Sequence, residues 1–275
     1  MGKLANLVTA VVTNGSADQS FIGARWLVFL LRVAPRPFKR PLALRILAIS
    51  PHYFYRRPEY NGISKKEFLE AEYERNRSTR ERIIRQVLAP HLRPADQVLD
   101  IGCGPGFLAR AVSPRVQRIF ACDISQGVLE CARVINGAAN INYIYSGESG
   151  FAQIEDSSLN LAYSFAVFQH VRESIIQSLF AVASQKLRPG GQCVFQVQLD
   201  DGKWKSEQAW DDDKSVANRL RLKYGMNFFP RTAAFFQELA AKTGFTVEAI
   251  RPLSELLDEP FDDVYYQHLL VLRKS

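Results

Sequence analysis

The chain has 275 residues, of which 47% are hydrophobic and 23% charged, and this composition excludes a disordered or collagen-like chain. Its length allows one sizeable α/β core with an appended segment. The formal net charge of +7 is local, because residues 1–60 hold nine Lys or Arg and two acidic residues, whereas residues 61–275 hold 26 of each sign. A basic surface for nucleic acid on the main part of the chain is therefore disfavoured, while a local anionic partner stays open.

The basic N-terminal part is predicted to be a helical extension covering residues 1–75. Its longest apolar run, WLVFLL at 26–31, lies between Arg25 and Arg32 and is far shorter than the ~20 residues of a membrane-spanning helix. No signal-peptide pattern is found, so we expect a cytoplasmic protein. Two interpretations of the extension stay open: helices that roof a functional site, or a peripheral membrane contact through residues 20–57 that admits a lipophilic substrate.

Two capping-box patterns, Ser64–Glu67 and Ser78–Glu81, each predict a helix start. In such a box, the hydroxyl and the carboxylate three residues later satisfy free backbone N–H groups at the helix N-terminus. The boundary between the extension and the main domain is accordingly placed near residues 60–78, with the main domain taken as residues 76–275.

From about residue 80 the sequence alternates short β-like runs with helical patterns, which predicts βαβ units and a mostly parallel sheet. Ser125 occupies the N-cap position of the helix after the second strand, and the helix before the fifth strand is predicted to end at a Pro189-Gly190-Gly191 turn. The predicted strands are 97–102, 118–124, 141–146, 159–165, 192–199, 245–251 and 264–274. Residues 200–230 fit no sheet and are predicted to be a lid insertion.

The most informative stretch is VLDIGCGPG, residues 98–106, where a strand runs into a glycine-rich turn that opens a helix. Such a turn brings bare backbone to the carboxyl edge of a parallel sheet, where cofactors bind. The dinucleotide pattern GxGxxG requires glycine at position 107, which is Phe107 here. Because the pyrophosphate cradle is lost, an adenosine-type ligand without phosphates fits better.

This stretch closely resembles the first motif, VLDxGCGxG, of class I S-adenosylmethionine-dependent methyltransferases, in the small-molecule branch that includes methyltransferase type 11 and ubiquinone-biosynthesis enzymes. Further matches are the acidic end of the second strand, the segment from Gly147 to Ala162, and LRPGG at 187–191. The resemblance implies a doubly wound α/β fold with a seven-stranded, mostly parallel sheet and an antiparallel last strand. It also implies S-adenosyl-L-methionine as the cofactor.

The resemblance assigns roles to individual residues. Asp123 would accept hydrogen bonds from both ribose hydroxyls, a task that suits a carboxylate with two acceptor oxygens. Asp100 would act near the cofactor's amino group, directly or through water, although it could also be a polar cap at a strand end. The complete predicted cofactor set is Asp100, Gly102, Cys103, Gly104, Gly106, Asp123, Ile124, Gly147, Glu148, Ser149, Ser164 and Phe165.

His170 is the candidate catalytic residue, since a neutral imidazole can take a proton from a substrate hydroxyl. The alternative is that its ring caps the turn after the fourth strand. Further candidates for the pocket wall are Tyr224, Tyr265, Tyr266 and His268. The acidic run at 211–213 is a solvated loop or a site that attracts an amine. The four cysteines have no metal-binding spacing with the histidines, so no metal is predicted.

Because the sulfonium methyl group is already electrophilic, the protein must mainly exclude water and align the acceptor. The expected activity is methyl transfer from S-adenosylmethionine to oxygen or nitrogen of a small metabolite, such as a lipid, sugar, quinone or other secondary metabolite, with a lipophilic acceptor as one option. DNA is disfavoured, because the sequence after the fourth strand carries neither of the DNA-methylase signatures. The alternatives are a protein or RNA methyltransferase that docks through the basic N-terminus, and a non-catalytic cofactor-binding scaffold. The oligomeric state is not predicted.

Overall fold

The computed structural model describes residues 25–49, 53–147, 150–200, 202, 205–224, 228–258 and 267–275. Seven strands form one sheet in the order β3-β2-β1-β4-β5-β7-β6. The strands are β1 Gln97–Ile101, β2 Arg118–Asp123, β3 Ile141–Tyr145, β4 Leu159–Ser164, β5 Leu187–Val197, β6 Phe245–Pro252 and β7 His268–Lys274. β7 is antiparallel to both of its neighbours, and the other pairs are parallel, so the predicted doubly wound architecture is confirmed.

The helices lie on both faces of this sheet and in the N-terminal extension. They are α1 Arg25–Val33, α2 Arg36–Leu47, α3 Lys65–Ile83, α4 Phe107–Val112, α5 Gln126–Ile135, α6 Glu173–Lys186, α7 Glu207–Asp212, α8 Val216–Tyr224 and α9 Ala233–Lys242. A π-helical turn, Ile84–Leu88, continues directly from α3. Within the ranges given above, no helix is long and apolar enough to cross a membrane.

The sheet is buried on both faces, as its apolar strands require. One core layer joins Val98 and Ile119 to the α4 side, where Leu108 and Val112 pack. The other joins Leu99 to Phe180 and Phe195 and extends to α9. Since both layers reach the central strands, the carboxyl ends of β1, β2 and β4 meet at a rigid edge of the sheet.

The described part of the N-terminal extension contains α1, α2 and the start of α3, in agreement with the predicted helical character, and has its own core against the main domain. The buried side chains of Leu31, Leu44, Leu47 and Phe54 pack in one cluster with Val128 of α5. The extension therefore lies on the helix that starts directly after β2. α3 runs without a break through residue 75, so the proposed extension and main domain share this helix.

Two of the predicted helix starts are found where expected. The Ser64 hydroxyl accepts a hydrogen bond from the backbone N–H of Glu67, whose carboxylate accepts one from the N–H of Ser64. The Ser125 hydroxyl accepts from the N–H of Val128 at the start of α5. Both caps satisfy N–H groups that have no partner within their helix.

Two local predictions were wrong. Ser78 starts no helix, because it lies inside α3, where its hydroxyl donates to the carbonyl of Arg75. The Pro189-Gly190-Gly191 segment lies within β5, which begins at Leu187. Leu187 pairs with Leu159 of β4, and the register of the two strands then shifts before Leu161 pairs with Gln192. Gly190, with φ of +75°, accommodates that irregularity.

The described part of the 200–230 insertion contains α7 and α8 and is attached by ion pairs. Arg172, at the start of α6, contacts Asp211 at 2.9 Å and Glu207 at 3.3 Å. Glu207 also pairs with the buried Arg231. The backbone N–H of Phe229 donates to the carbonyl of Gln169 at 2.7 Å. The insertion is thus fastened to the loop after β4.

Candidate active site

The glycine turn after β1 is fixed by backbone hydrogen bonds to the end of β2. The N–H groups of Gly102 and Cys103 both donate to the carbonyl of Cys122, at 2.8 and 2.9 Å. Gly104 and Gly106 follow with φ of +52° and +77°, and α4 begins at the next residue. The turn therefore lies at the carboxyl edge of the sheet, as the sequence indicated.

Two of these glycines are required by contacts within the protein itself. A Cβ on Gly102 would lie 2.4 Å from Cγ2 of Val167, and one on Gly106 would lie 2.2 Å from the hydroxyl oxygen of Tyr143. Both distances are too short for real atoms, so side chains of the loop after β4 and of β3 pack onto the bare backbone. A close approach of a ligand is not needed to explain these two positions.

Asp123, at the end of β2, is buried and held in place by two backbone donors. Its Oδ2 accepts from the N–H of Gly104 at 2.9 Å, and its Oδ1 accepts from the N–H of Ser125 at 2.8 Å. Burial raises the pKa of Asp123, and the hydrogen bonds from Ser125, Gly104 and Ile124 oppose this rise. Each oxygen keeps acceptor capacity for a hydroxyl donor. Ile124 beside it is exposed and forms the open side of this position.

Asp100, in β1, carries a carboxylate oxygen with unused acceptor capacity. Its side chain is buried, and Oδ2 has no hydrogen-bond partner among the described residues. Burial raises the pKa of Asp100 to about 8, an effect that the Tyr163 hydroxyl opposes and the charge of Asp123 adds to. Cys103, another residue of the predicted cofactor set, is also buried. An unpaired buried carboxylate at this edge is suited to a ligand that brings a donor or a cation.

The two carboxylates therefore provide a test of whether the cofactor fits. S-adenosylmethionine brings ribose hydroxyls and an ammonium group, which can donate to the remaining acceptor capacity of Asp123 and to the oxygen of Asp100 that has no partner. The donor set of the ligand and the acceptor set of the site are complementary. The residues present therefore fit the cofactor.

The end of β3 supplies only part of its predicted set. Gly147 is described, and a Cβ there would lie 2.3 Å from Cε1 of Tyr145, an exposed ring that would have to move to admit a side chain. Glu148 and Ser149 lie outside the described residues. Their assignment to the cofactor site stays a prediction.

The loop after β4 is held by a buried polar network that the sequence did not indicate. The Ser164 hydroxyl is fully buried and donates to the carbonyl of Ile101 at 2.9 Å. Ala166 has φ of +61°, and its N–H donates to Oε1 of Gln196 at 2.8 Å. Gln196 in turn donates to Gln267, which precedes β7. Strained backbone in a non-glycine residue is typical of functional loops.

Phe165 and His170 lie at either end of this loop. Phe165 is partly buried against the core layer on the α4 side. The His170 ring packs edge-on against Phe228, with 4.7 Å between ring centroids. Both interpretations of His170 stay open, because a ring in such a contact can close the turn and also present a nitrogen to a neighbouring ligand.

Tyr53, in the extension, is a site residue that the sequence analysis missed. Its Cε1 lies 3.4 Å from the position that a Cβ on Gly104 would occupy. Burial raises the pKa of Tyr53 well above its usual value, and the charges of Asp123 and Cys103 add to this rise. The Asn76 amide donates to the Tyr53 carbonyl, which ties the segment to α3. No local motif marks this residue, because it reaches the site only through the packing of α2 and α3.

Other predicted candidates are placed less directly. The side chain of Tyr224, and the whole of Tyr265 and Tyr266, lie outside what the structure describes. His268 begins β7, and burial lowers its pKa. In the acidic run, Asp211 pairs with Arg172 and Asp213 with Lys205, so both carboxylates already have cationic partners. The described residues contain no group of three or more His, Cys, Asp or Glu that could hold a metal.

Comparison with known proteins agrees with this geometry. Residues 98–191 match a family model described as a methyltransferase domain. An uncharacterized 37.1 kDa protein in transposon Tn4556 of Streptomyces fradiae is 31% identical over 171 residues, which are 60% of this chain and 47% of that protein. A ubiquinone biosynthesis O-methyltransferase of Aromatoleum aromaticum is 28% identical over 101 residues, 36% of this chain and 42% of that protein.

Among solved structures, magnesium protoporphyrin IX methyltransferase from Synechocystis PCC 6803, determined with bound S-adenosylmethionine, has a TM-score of 0.51 at 12% identity. The match covers 86% of this chain and 97% of that one. At this identity the likeness concerns the fold. The chain spans about half the length of the curated relatives it matches.

Proposed function

We propose that this chain, whose residues 98–191 form a class I S-adenosylmethionine-dependent methyltransferase domain, transfers a methyl group to an oxygen or nitrogen atom of a small, lipophilic molecule. The observation that carries the proposal is the pair of buried carboxylates at one sheet edge. Asp123 is positioned by Gly104 and Ser125, and Asp100 has an unpaired oxygen.

The residues of the chain would bind and orient the cofactor and would do little covalent chemistry. Asp123 accepts hydroxyl donors, Asp100 accepts a donor from the amino-acid part, and Tyr53 covers the turn at Gly104. When bound, S-adenosylmethionine supplies an electrophilic methyl group. The remaining task of the protein is to exclude water and to align an acceptor in line with the bond that breaks.

The acceptor would lie beside the loop after β4, under the 200–230 insertion, which we propose as its lid. Phe165 and Val167 of this loop are partly buried apolar side chains, and the ring of Phe228 packs against His170. Such a wall favours an acceptor with an apolar body. One relative is named a ubiquinone biosynthesis O-methyltransferase, which supports a small-molecule acceptor. His170 is proposed as the group that takes the proton of an acceptor hydroxyl.

The basic extension gives less support to a macromolecular substrate. Arg32 contacts Glu130 of α5, and Arg40 forms a two-point ion pair with Glu70 of α3. Arg56 lies over the ring of Phe68. These three cations are engaged by the chain's own side chains, which leaves fewer charges for a docking arm for RNA or protein. We therefore propose that the extension packs on the domain and reaches the cofactor site through Tyr53.

The proposal is tested with the purified full chain, radiolabelled S-adenosylmethionine and a cell extract separated into organic-soluble small molecules, protein and RNA. Label that enters the organic-soluble fraction supports the proposal. Label in protein or RNA instead would contradict it and favour the macromolecular alternative. Slow hydrolysis of the cofactor without any labelled product would favour a non-catalytic scaffold. A chain with Asp123→Ala serves as the control for cofactor-dependent labelling.

A further inference from the structure

The outer face of α1 and the start of α2 expose apolar side chains that the fold does not bury. Phe29 is 62% exposed, Val33 57% and Phe38 64%, and Leu30 is also exposed. All four lie within ten residues of chain, at the corner where α1 meets α2. We call these four residues the corner patch.

The corner patch is distinct from the face that stabilises the extension. Leu31, between the exposed Leu30 and Arg32, is 2% exposed and packs in the cluster with Leu44 and Val128. In an α-helix, Phe29 and Val33 are one turn apart and share a face, with Leu30 beside them. α1 thus has one apolar face for the fold and a second one that faces solvent, which is uncommon on the surface of a monomeric protein.

Exposed cations surround the corner patch. Arg36 and Arg45 are exposed on α2 and have no ion-pair partner among the described residues. Lys39 donates to the carbonyl of Arg32, and the Arg32 guanidinium is 64% exposed although it contacts Glu130. Along the sequence, the first acidic residue after this corner is Glu59. The corner is therefore apolar at its centre and basic around it.

This combination determines the kind of partner. The four exposed apolar side chains are accompanied by Arg36, two residues before Phe38, and by Arg45, two helical turns after Phe38. An anionic bilayer offers partners for both kinds of side chain, a hydrocarbon boundary and negative headgroups. We propose that the corner patch docks the protein on an anionic membrane surface, with Phe29 and Phe38 inserted at the headgroup boundary and Arg36 and Arg45 facing lipid phosphates.

Docking at this corner would place the cofactor site close to the membrane. Phe54 packs in one cluster with the buried side chains of α2, and the neighbouring Tyr53 lies at the glycine turn. α1 and α2 both rest on α5, which begins shortly after Asp123. A site close to the membrane could take its methyl acceptor from the bilayer, and this part of the inference rests on the proposed function. The docking itself is independent of it, because it depends on surface residues outside the cofactor site.

The test is a flotation assay of the full chain with vesicles of phosphatidylcholine, with and without phosphatidylglycerol, at low and high salt. We expect binding to the anionic vesicles and weaker binding at high salt. Phe29→Ser with Phe38→Ser should reduce partitioning about tenfold or more, since each ring loses its apolar contact with lipid. Arg36→Glu with Arg45→Glu should reduce it as well.

Matched controls keep the result specific. Val216, 62% exposed on α8, is changed to Ser as the apolar control, and the exposed Arg188 to Glu as the charge control. Both should float like the parent chain. Binding of S-adenosylmethionine, measured by calorimetry, should be unchanged in every variant, which shows that the fold is intact.

The proposal is overturned if the parent chain ignores anionic vesicles, or if the two Phe changes leave flotation unaltered. A chain that instead dimerises in solution, and loses the dimer with the same changes, would assign the corner patch to a second copy and also overturn it. Methyl transfer is measured in a separate assay, in an extract without detergent. Lost flotation with retained methyl transfer would be a failure of docking, and lost methyl transfer in the parent chain would be a failure of the proposed function.

Discussion

Oδ2 of Asp123 accepts a hydrogen bond from the backbone N–H of Gly104 at 2.9 Å, which joins the end of β2 to the glycine turn after β1. The other oxygen of the same carboxylate accepts from Ser125, the N-cap of α5. One side chain thus fixes the relative positions of a strand end, a turn and a helix start. All of these contacts are made within the chain, so the fold itself holds the carboxylate in position.

Gly106→Ala should destabilise the protein by about 2–5 kcal/mol. A left-handed non-glycine residue costs about 1–2 kcal/mol, and forcing an atom into an occupied position adds about 1–3 kcal/mol. Gly190→Ala is the matched control, because φ is +75° there but nothing lies within 4 Å of the added Cβ. Chemical denaturation measures both. Equal losses in the two variants would show that the contact with Tyr143 does not matter.

Asp100 should make stability depend on pH. Burial raises its pKa from 3.8, the usual value of an aspartate, to about 8, so between these pH values the native state keeps a proton that the unfolded state has lost. The contribution of this group is fully present below about pH 4 and is lost as the pH rises towards 8, at up to about 1.4 kcal/mol per pH unit.

In Asp100→Asn this contribution is absent, so its free energy of unfolding should fall less steeply between pH 4 and 8 than that of the parent chain. The raised pKa of Asp123 acts in the same direction, and part of the slope should therefore remain. Urea denaturation at several pH values measures the difference. Identical slopes in the two proteins would mean that Asp100 ionises normally.

Tyr53→Ala should weaken binding of S-adenosylmethionine roughly tenfold, about the effect of one lost aromatic contact of ~1.4 kcal/mol. Its ring is the part of the extension nearest to Gly104. Tyr55→Ala is the control, since that side chain is 53% exposed and lies only two residues further on. Calorimetric titration compares the two. The account of Tyr53 fails if both variants bind as tightly as the parent chain.

His170→Gln should separate proton transfer from packing. If the imidazole takes a proton from the acceptor, kcat should fall about 100-fold with little change in KM, and the acidic limb of the pH profile should disappear. Phe228→Leu, which removes only the ring contact, should leave that limb in place. A similar modest loss in both variants, with the limb retained, would assign His170 to packing.

The sequence predicted those parts that local patterns encode. The strand ending in Asp123, the Ser125 cap and the turn at Gly102–Gly106 each follow from residues within a few positions of one another. The same local reasoning failed at Ser78, because a Ser-x-x-Glu pattern inside a continuous helix has the same letters as one at its start. Propensity cannot tell these cases apart without the packing of the helix.

Contacts between residues far apart in the sequence could not be predicted from local patterns. Tyr53 lies about 50 residues before the turn that it covers, and the pairing of Gln196 with Gln267 depends on the neighbouring positions of β5 and β7. The glycines at 102 and 106 were assigned to ligand approach, and the structure adds that Val167 and Tyr143 require them. Such requirements become visible only when distant segments are placed together.

The central claim is that the paired carboxylates at the sheet edge bind S-adenosylmethionine. Calorimetric titration of the cofactor into the full chain should give micromolar binding, and Asp123→Ala should weaken it about 100-fold, the loss of hydrogen bonds to a charged group worth ~3 kcal/mol. Asp123→Asn, which keeps the shape, should retain part of the affinity. An absence of heat in the parent chain, or equal affinity in Asp123→Ala, would contradict the account.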